Sequence, residues 1–248
     1  MDDPGKTEAA KPSAANLPKR FYQRVDVADR DGGFALLLDD KPVRTPGKKQ
    51  VLLPSRGLAE AVAEEWRAQK ERIDPAAMPL TKLANSAIDG VAGREDDVIG
   101  DIVNYAGSDL LCYRAEGPRG LVEAQRAQWD PVLAWAISAL GAPFVLAEGI
   151  VHVAQPQAAL DRLRETLKGQ APFGLAALHV ITGLTGSALL ALAVALGRMT
   201  AEEAWKAAHV DEDWQIAQWG EDAEAAARRA ACRRDFDAAA RALALLKE

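Results

Sequence analysis

The sequence predicts an α+β protein in which a small β-rich N-terminal domain is followed by a larger all-helical C-terminal domain. In the first third, prolines and glycines cluster between short runs of alternating apolar residues. Everything after Arg94 is rich in Ala and Leu at helical spacing. With 248 residues the chain can hold one large domain or two ordinary ones, and the composition shift favours two. The expected division is a disordered tail over residues 1–18, a β-rich domain with helices over 19–92 and a helical domain over 93–248.

Residues 1–18 combine Asp, Lys, Ala and Pro without an apolar core, unlike a secretory signal or an Arg-rich transit peptide. Residues 21–27 alternate apolar and polar, Asp31-Gly32-Gly33 supplies a turn, and residues 34–38 return as an apolar strand, which makes a hairpin. Lys41-Pro42 and Pro46-Gly47 punctuate the next stretch, and residues 50–53 form a short strand. Pro54 and Ser55 start a helix expected to reach Arg72, with Leu58, Val62 and Trp66 four apart on one face. Pro79 and Thr81 stop one element and cap the next, a helix over 81–91. A third helix, 94–105, opens with Glu95, Asp96 and Asp97, where the helix dipole favours anions.

Residues 121–140 are helical in pattern, with Pro131 predicted to kink the helix or divide it after Trp129. Residues 143–153 have the one strand-like composition of the second half, suited to pairing with the first domain or to a ribbon of their own. Helices fill most of 157–247. Within them, residues 169–197 carry no formal charge and are long enough to span a bilayer. Gly174, Thr182, Thr185 and the Gly183-x-x-Gly186-Ser187 sequence dilute that stretch and predict two buried helices instead of a membrane span.

The net charge of −6 and the scattered cations exclude the field that sequence-independent nucleic-acid binding needs. Arg228, Arg229, Arg233 and Arg234 alternate with alanines and read as a solvated face. Cys112 and Cys232 give no disulfide framework, which suits a reducing compartment, and the expected location is the bacterial cytoplasm. Neither phosphate-cradling glycine loop is present, and His152, His179 and His209 lack ligand-spaced partners, so no cofactor or metal is expected. His179 reads as a hydrogen-bonded core residue. Cys112 reads as a packing cysteine, since no His or helix N-terminus adjoins it. A small enzyme using Cys112 or a pocket carboxylate is the alternative reading. Glu64-Glu65 and Asp96-Asp97 point about 100° apart on their helices and form no acid/base couple.

Residues 210–221 are different, because a helical reading gives them two apolar faces. Val210, Trp214 and Ala217 form one stripe; Glu212, Gln215, Ile216 and Trp219 form the other. A tryptophan flanked by a carboxylate and an amide is the composition of an interface anchor.

Arg20-Phe21-Tyr22, Thr45-Pro46, Leu53-Pro54-Ser55, Trp66, residues 78–85 (Met-Pro-Leu-Thr-Lys-Leu-Ala-Asn), Ile88-Asp89, residues 109–114 (Asp-Leu-Leu-Cys-Tyr-Arg), Trp129, Pro131, Trp135 and residues 215–222 (Gln-Ile-Ala-Gln-Trp-Gly-Glu-Asp) come in a fixed order. Together they resemble the assembly chaperones of the F1 ATP synthase alpha subunit, over about residues 19–222. The resemblance implies a non-enzymatic binding protein that holds the new alpha subunit until the beta subunit replaces it. Such proteins occur in alpha-proteobacteria and mitochondria, and a monomer without a cofactor is the form expected here. The resemblance further implies that Glu212 is the acidic position preceding the Gln-x-x-x-Trp-Gly block, flanked by Asp211 and Asp213. Glu212, Gln215, Trp219 and Asp211 are then expected to meet the client. Ser108 and Val210 stand where the family pattern leads one to expect threonine and leucine.

Overall fold

The computed structural model describes residues 17–149 and 151–247. Most of the predicted tail, residues 1–16, lies outside the described residues; Leu17 and Pro18 already contribute their carbonyl oxygens to Arg72 and to the Ile73 amide.

Strands β1 (Val25–Arg30) and β2 (Gly33–Leu38) form the expected hairpin, in register from Val25 opposite Leu38 to Arg30 opposite Gly33. Gly33 is required there: its φ is 146°, and a Cβ would lie 2.3 Å from the Leu53 carbonyl oxygen. The short strands β3 (Lys41–Pro42) and β4 (Leu52–Leu53) both pair with β2. Helix α1 (Arg56–Arg67), capped by the Ser55 hydroxyl, covers the sheet with Leu58, Ala59 and Val62. It stops short of the predicted Arg72 because carbonyls at its end are taken by side chains. The Tyr22 hydroxyl donates to the Trp66 carbonyl at 2.7 Å, and the Arg20 guanidinium to that of Gln69 at 2.6 Å.

Helix α2 (Pro79–Ser86) continues into one π-helical turn, Ala87–Val91, in place of the expected straight helix. Thr81 does not cap α2. The Glu65 carboxylate does, accepting from the Leu80 and Thr81 amides and the Thr81 hydroxyl at 2.7–2.8 Å. Burial holds the Glu65 carboxyl above its ordinary range although these bonds pull it down. Glu65→Ala is expected to cost about 2 kcal/mol by orphaning these donors, measurable as a lower midpoint in urea with an unchanged slope. The π turn carries Asp89 to the β3–β4 loop, where it accepts from the Thr45 hydroxyl and the Gly47 amide, both at 2.8 Å.

Helix α3 (Glu95–Ala106) leads through a 3-10 turn, Leu110–Cys112, into strand β5 (Tyr113–Arg114). Helix α4 (Arg119–Leu140) is one helix despite Pro131. Pro131 and Ala127, the residue whose carbonyl it leaves unpaired, both face solvent, while Trp129, Val132, Leu133 and Ala136 pack the opposite side. Strand β6 (Ala147–Glu148) pairs in parallel with β5, so the strand-like segment makes a small ribbon within the second half, which is therefore mostly and not wholly helical.

Helices α5 (Gln157–Leu167), α6 (Pro172–Thr185) and α7 (Ala188–Ala195) come next. The uncharged stretch breaks as predicted: Gly186 takes φ 67° and the Ser187 hydroxyl caps α7. No helix of the described residues is long and apolar enough to cross a membrane. The buried Asp109 carboxylate clamps this region, accepting from the Leu111 and Leu189 amides at 3.1 Å each. His179 is not a core residue; it is half-buried on the outer side of α6.

Helices α8 (Ala201–Ala208), α9 (Val210–Trp219) and α10 (Ala223–Leu245) complete the chain. α10 returns to the first half: Lys82 pairs with Asp235 at 2.9 Å, Arg241 with Glu64 at 3.1 Å, and Ser55 donates to the Leu245 carbonyl at 2.7 Å. Buried apolar residues from Tyr22 to Leu243 thus form one continuous core.

Candidate functional site

The four residues singled out in the sequence sit on α9, which is separated from α8 by His209 alone. The His209 ring stacks on Trp205 at 3.9 Å and its Nδ1 donates to the Trp205 carbonyl at 2.8 Å, fixing the bend between the helices. From below, α9 rests on α4. Gln125, 1% exposed, accepts from the Ala115 amide at 2.9 Å and donates to Asp211 Oδ1 at 2.7 Å. Trp129 donates its indole N–H to the Ala207 carbonyl at 2.7 Å. The Trp214 ring lies over Gly120 so closely that a Cβ there would be 2.4 Å from it.

The inner stripe therefore holds at Val210 and Trp214, whereas Ala217 is exposed. On the outer stripe Glu212 is half-buried, 3.7 Å from the Arg229 guanidinium and 3.8 Å from His209 Nε2. Gln215 faces solvent. Trp219 is 79% exposed, the highest value among the exposed large apolar side chains of the described residues. Asp211, adjoining this stripe, is engaged by Gln125.

The arginines of α10 do more than meet water. Arg229 also reaches Asp213 at 2.5 Å; Arg233 pairs with Glu202 at 2.6 Å and Asp237 at 2.8 Å and covers the Trp205 ring. These contacts tie α10 to α8 and α9. Periodicity gives no sign of the pairs to Asp213 and Glu202, because those partners come from other helices. Gln125 is legible in principle, since it falls four residues before Trp129 on the buried face of α4.

Cys112 is fully buried, and burial followed by the adjacent Asp109 carboxylate pushes its thiol up to about 12. It neither meets solvent nor ionises near neutral pH, so it does not fit a nucleophile. Among the described residues no group of three His, Cys, Asp or Glu side chains is placed to hold a metal ion.

Residues 19–137 match the family described as ATP12 chaperone protein. The whole fold superposes on the crystal structure of Atp12 from Paracoccus denitrificans with a TM-score of 0.86 and 44% identity, covering 92% of this chain and 98% of that one. The chain belongs to the ATP12 chaperone family. Atu1473 protein from Agrobacterium tumefaciens is similar at 53% identity and a TM-score of 0.89, over 93% of this chain and 87% of that one. The mitochondrial protein atp12 of Schizosaccharomyces pombe is 24% identical over 226 residues, 86% of this chain and 78% of its own length.

Within this ATP12 fold, Gly120→Ala is expected to push the Trp214 ring outward and cost about 1–3 kcal/mol, the range for overpacking a fitted contact. Near-ultraviolet circular dichroism, which reports tryptophan packing, checks it together with the melting temperature.

Proposed function

We propose that this protein is an ATP synthase assembly chaperone that holds the unassembled F1 alpha subunit and yields it to the beta subunit. Its membership of the ATP12 family supports the chaperone role, and the resemblance of its ordered sequence blocks supports the client. The observation that carries the reading is Trp219: a large apolar side chain left mostly in water, on a helix held to α4 by the Gln125–Asp211 bond and by Trp214 packed over Gly120. An exposed indole beside a carboxylate and an amide on a firmly held helix has the composition of a binding anchor.

On this reading Trp219 is the apolar anchor, Gln215 and Glu212 orient the client, and Asp211 holds α9 in place through Gln125. An unassembled alpha subunit exposes apolar surface meant for its neighbour, and such surface aggregates unless covered. Covering it needs no chemistry, so on this reading the protein is a non-enzymatic binder without a cofactor; a monomer in the cytoplasm is the form proposed for it. The chain then divides near residue 92 into a β-rich unit and the helical one that carries α9, the two sharing one continuous core.

Dilution of denatured alpha subunit into buffer with an equal amount of this chain tests the reading. The expected result is suppressed light scattering and soluble alpha subunit; scattering unchanged by the chain would contradict it.

A further inference from the structure

A cleft of about 600 Å3 opens where the β3–β4 loop and the π turn meet α3 and α6. A depression of about 460 Å3 continues it along α3, and Asp101 and His179 line both. One end is walled by Pro46, Asn85 and Asp89, three residues of the signature blocks. The π turn that contributes Asp89 to this wall is a kind of helix defect that recurs at functional sites. The floor is apolar, from Val98 on α3 and Ala176 and Val180 on α6. No residue of α9 lines the cleft.

Several polar groups along the cleft are uncommitted. Among the described residues the side chains of Asn85, Asp101, Asn104, Tyr105 and His179 make no hydrogen bond within the protein. An apolar floor between walls of unpaired amides, a hydroxyl and an imidazole suits an extended peptide, whose main chain bonds the walls while small side chains cover the floor. The charge selects its sequence. Asp89 is held by Thr45 and Gly47, and Asp97 accepts from Arg94, the one Lys or Arg lining the cleft among the described residues, at 3.2 Å. Among the described residues Asp101 is left without a cation, beside His179 and midway along the path.

We propose that the cleft between α3 and α6 is a second docking site, which takes an extended segment bearing a lysine or arginine that pairs with Asp101. The source of that segment rests on the reading above: it belongs to the held alpha subunit. Two weak grips on one client, here and at Trp219, give avidity while leaving each contact easy to release.

The test places the photo-crosslinker benzoylphenylalanine in the full chain, in place of Tyr105 or of Trp219, and irradiates it with the F1 alpha subunit. Both positions are expected to form adducts. The Tyr105 adduct maps within about three residues of a lysine or arginine, the reach of extended backbone at about 3.3 Å per residue. Asp101→Lys lowers its yield about tenfold by like-charge repulsion, with a smaller loss of the Trp219 adduct through lost avidity and an unchanged melting temperature. A Trp219 adduct without a Tyr105 adduct, or a Tyr105 adduct indifferent to Asp101→Lys, overturns the cleft and leaves the chaperone reading standing. Absence of both adducts and of any complex overturns the alpha-subunit reading and the cleft with it.

Discussion

Asp109→Ala lowers stability by about 4 kcal/mol and the melting temperature by about 10 °C, the largest loss expected of a single change in this fold. The carboxylate is completely buried and serves two elements, the Leu110–Cys112 turn and the N-terminus of α7, whose amides are orphaned when it goes. Burial pushes its carboxyl up to about 6, although hydrogen bonds from Ser187 and from the Leu189, Leu111 and Ala188 amides oppose the shift. The folded protein thus holds this proton more tightly than the unfolded chain, whose ordinary value is 3.8. The contribution is full below about pH 4 and declines as pH rises through about 6. Urea denaturation of parent and variant therefore shows a wider stability gap at pH 4.5 than at pH 7.5. A variant that melts with the parent would show that α7 does not depend on this clamp.

Trp219→Ala has the largest effect on binding: about 2 kcal/mol or more, roughly a thirtyfold weaker complex with the alpha subunit, at an unchanged melting temperature. The two readouts separate because the indole is 79% exposed and contributes little to the core. Glu212→Lys is the less clean probe. It puts a lysine beside Arg229 and His209, 3.7 and 3.8 Å from the present carboxylate, so it loosens the α9–α10 junction as well as reversing an interface charge. Titration calorimetry or anisotropy with the purified subunit measures the binding; equal affinity of Trp219→Ala and parent would remove α9 from the client surface.

The contrast between α9 and α1 shows what a sequence can and cannot convey. Period and composition place α9, its inward Val210 and Trp214 and its exposed Gln215 and Trp219, because helical spacing sorts residues by face. The end of α1 is not legible, since the side chains that take carbonyls there come from Tyr22 and Arg20, more than forty residues upstream. The same holds for the start of α2: Thr81 has the local signature of a cap, but Glu65 supplies the acceptor from a different helix. Pro131 misleads for the opposite reason, as a local rule predicts a break that exposure of the freed carbonyl makes cheap. Ala217, by contrast, is exposed although its spacing puts it on the inner stripe.

The cleft between α3 and α6 obeys the same logic. Pro46, Asn85 and Asp89 are distant in sequence from His179, and the packing of α2 and the π turn on α6 brings them together. His179 looks like a core residue in an uncharged run, and its place at the cleft depends on which face of α6 the other helices cover.

The most direct measurement is co-expression of this chain with its own organism's F1 alpha subunit, followed by size-exclusion chromatography of the soluble fraction with and without the beta subunit. Chain and alpha subunit are expected to co-elute, and added beta subunit to take the alpha subunit away and leave the chain free. Alpha subunit that stays insoluble, or that elutes apart from the chain, would contradict it.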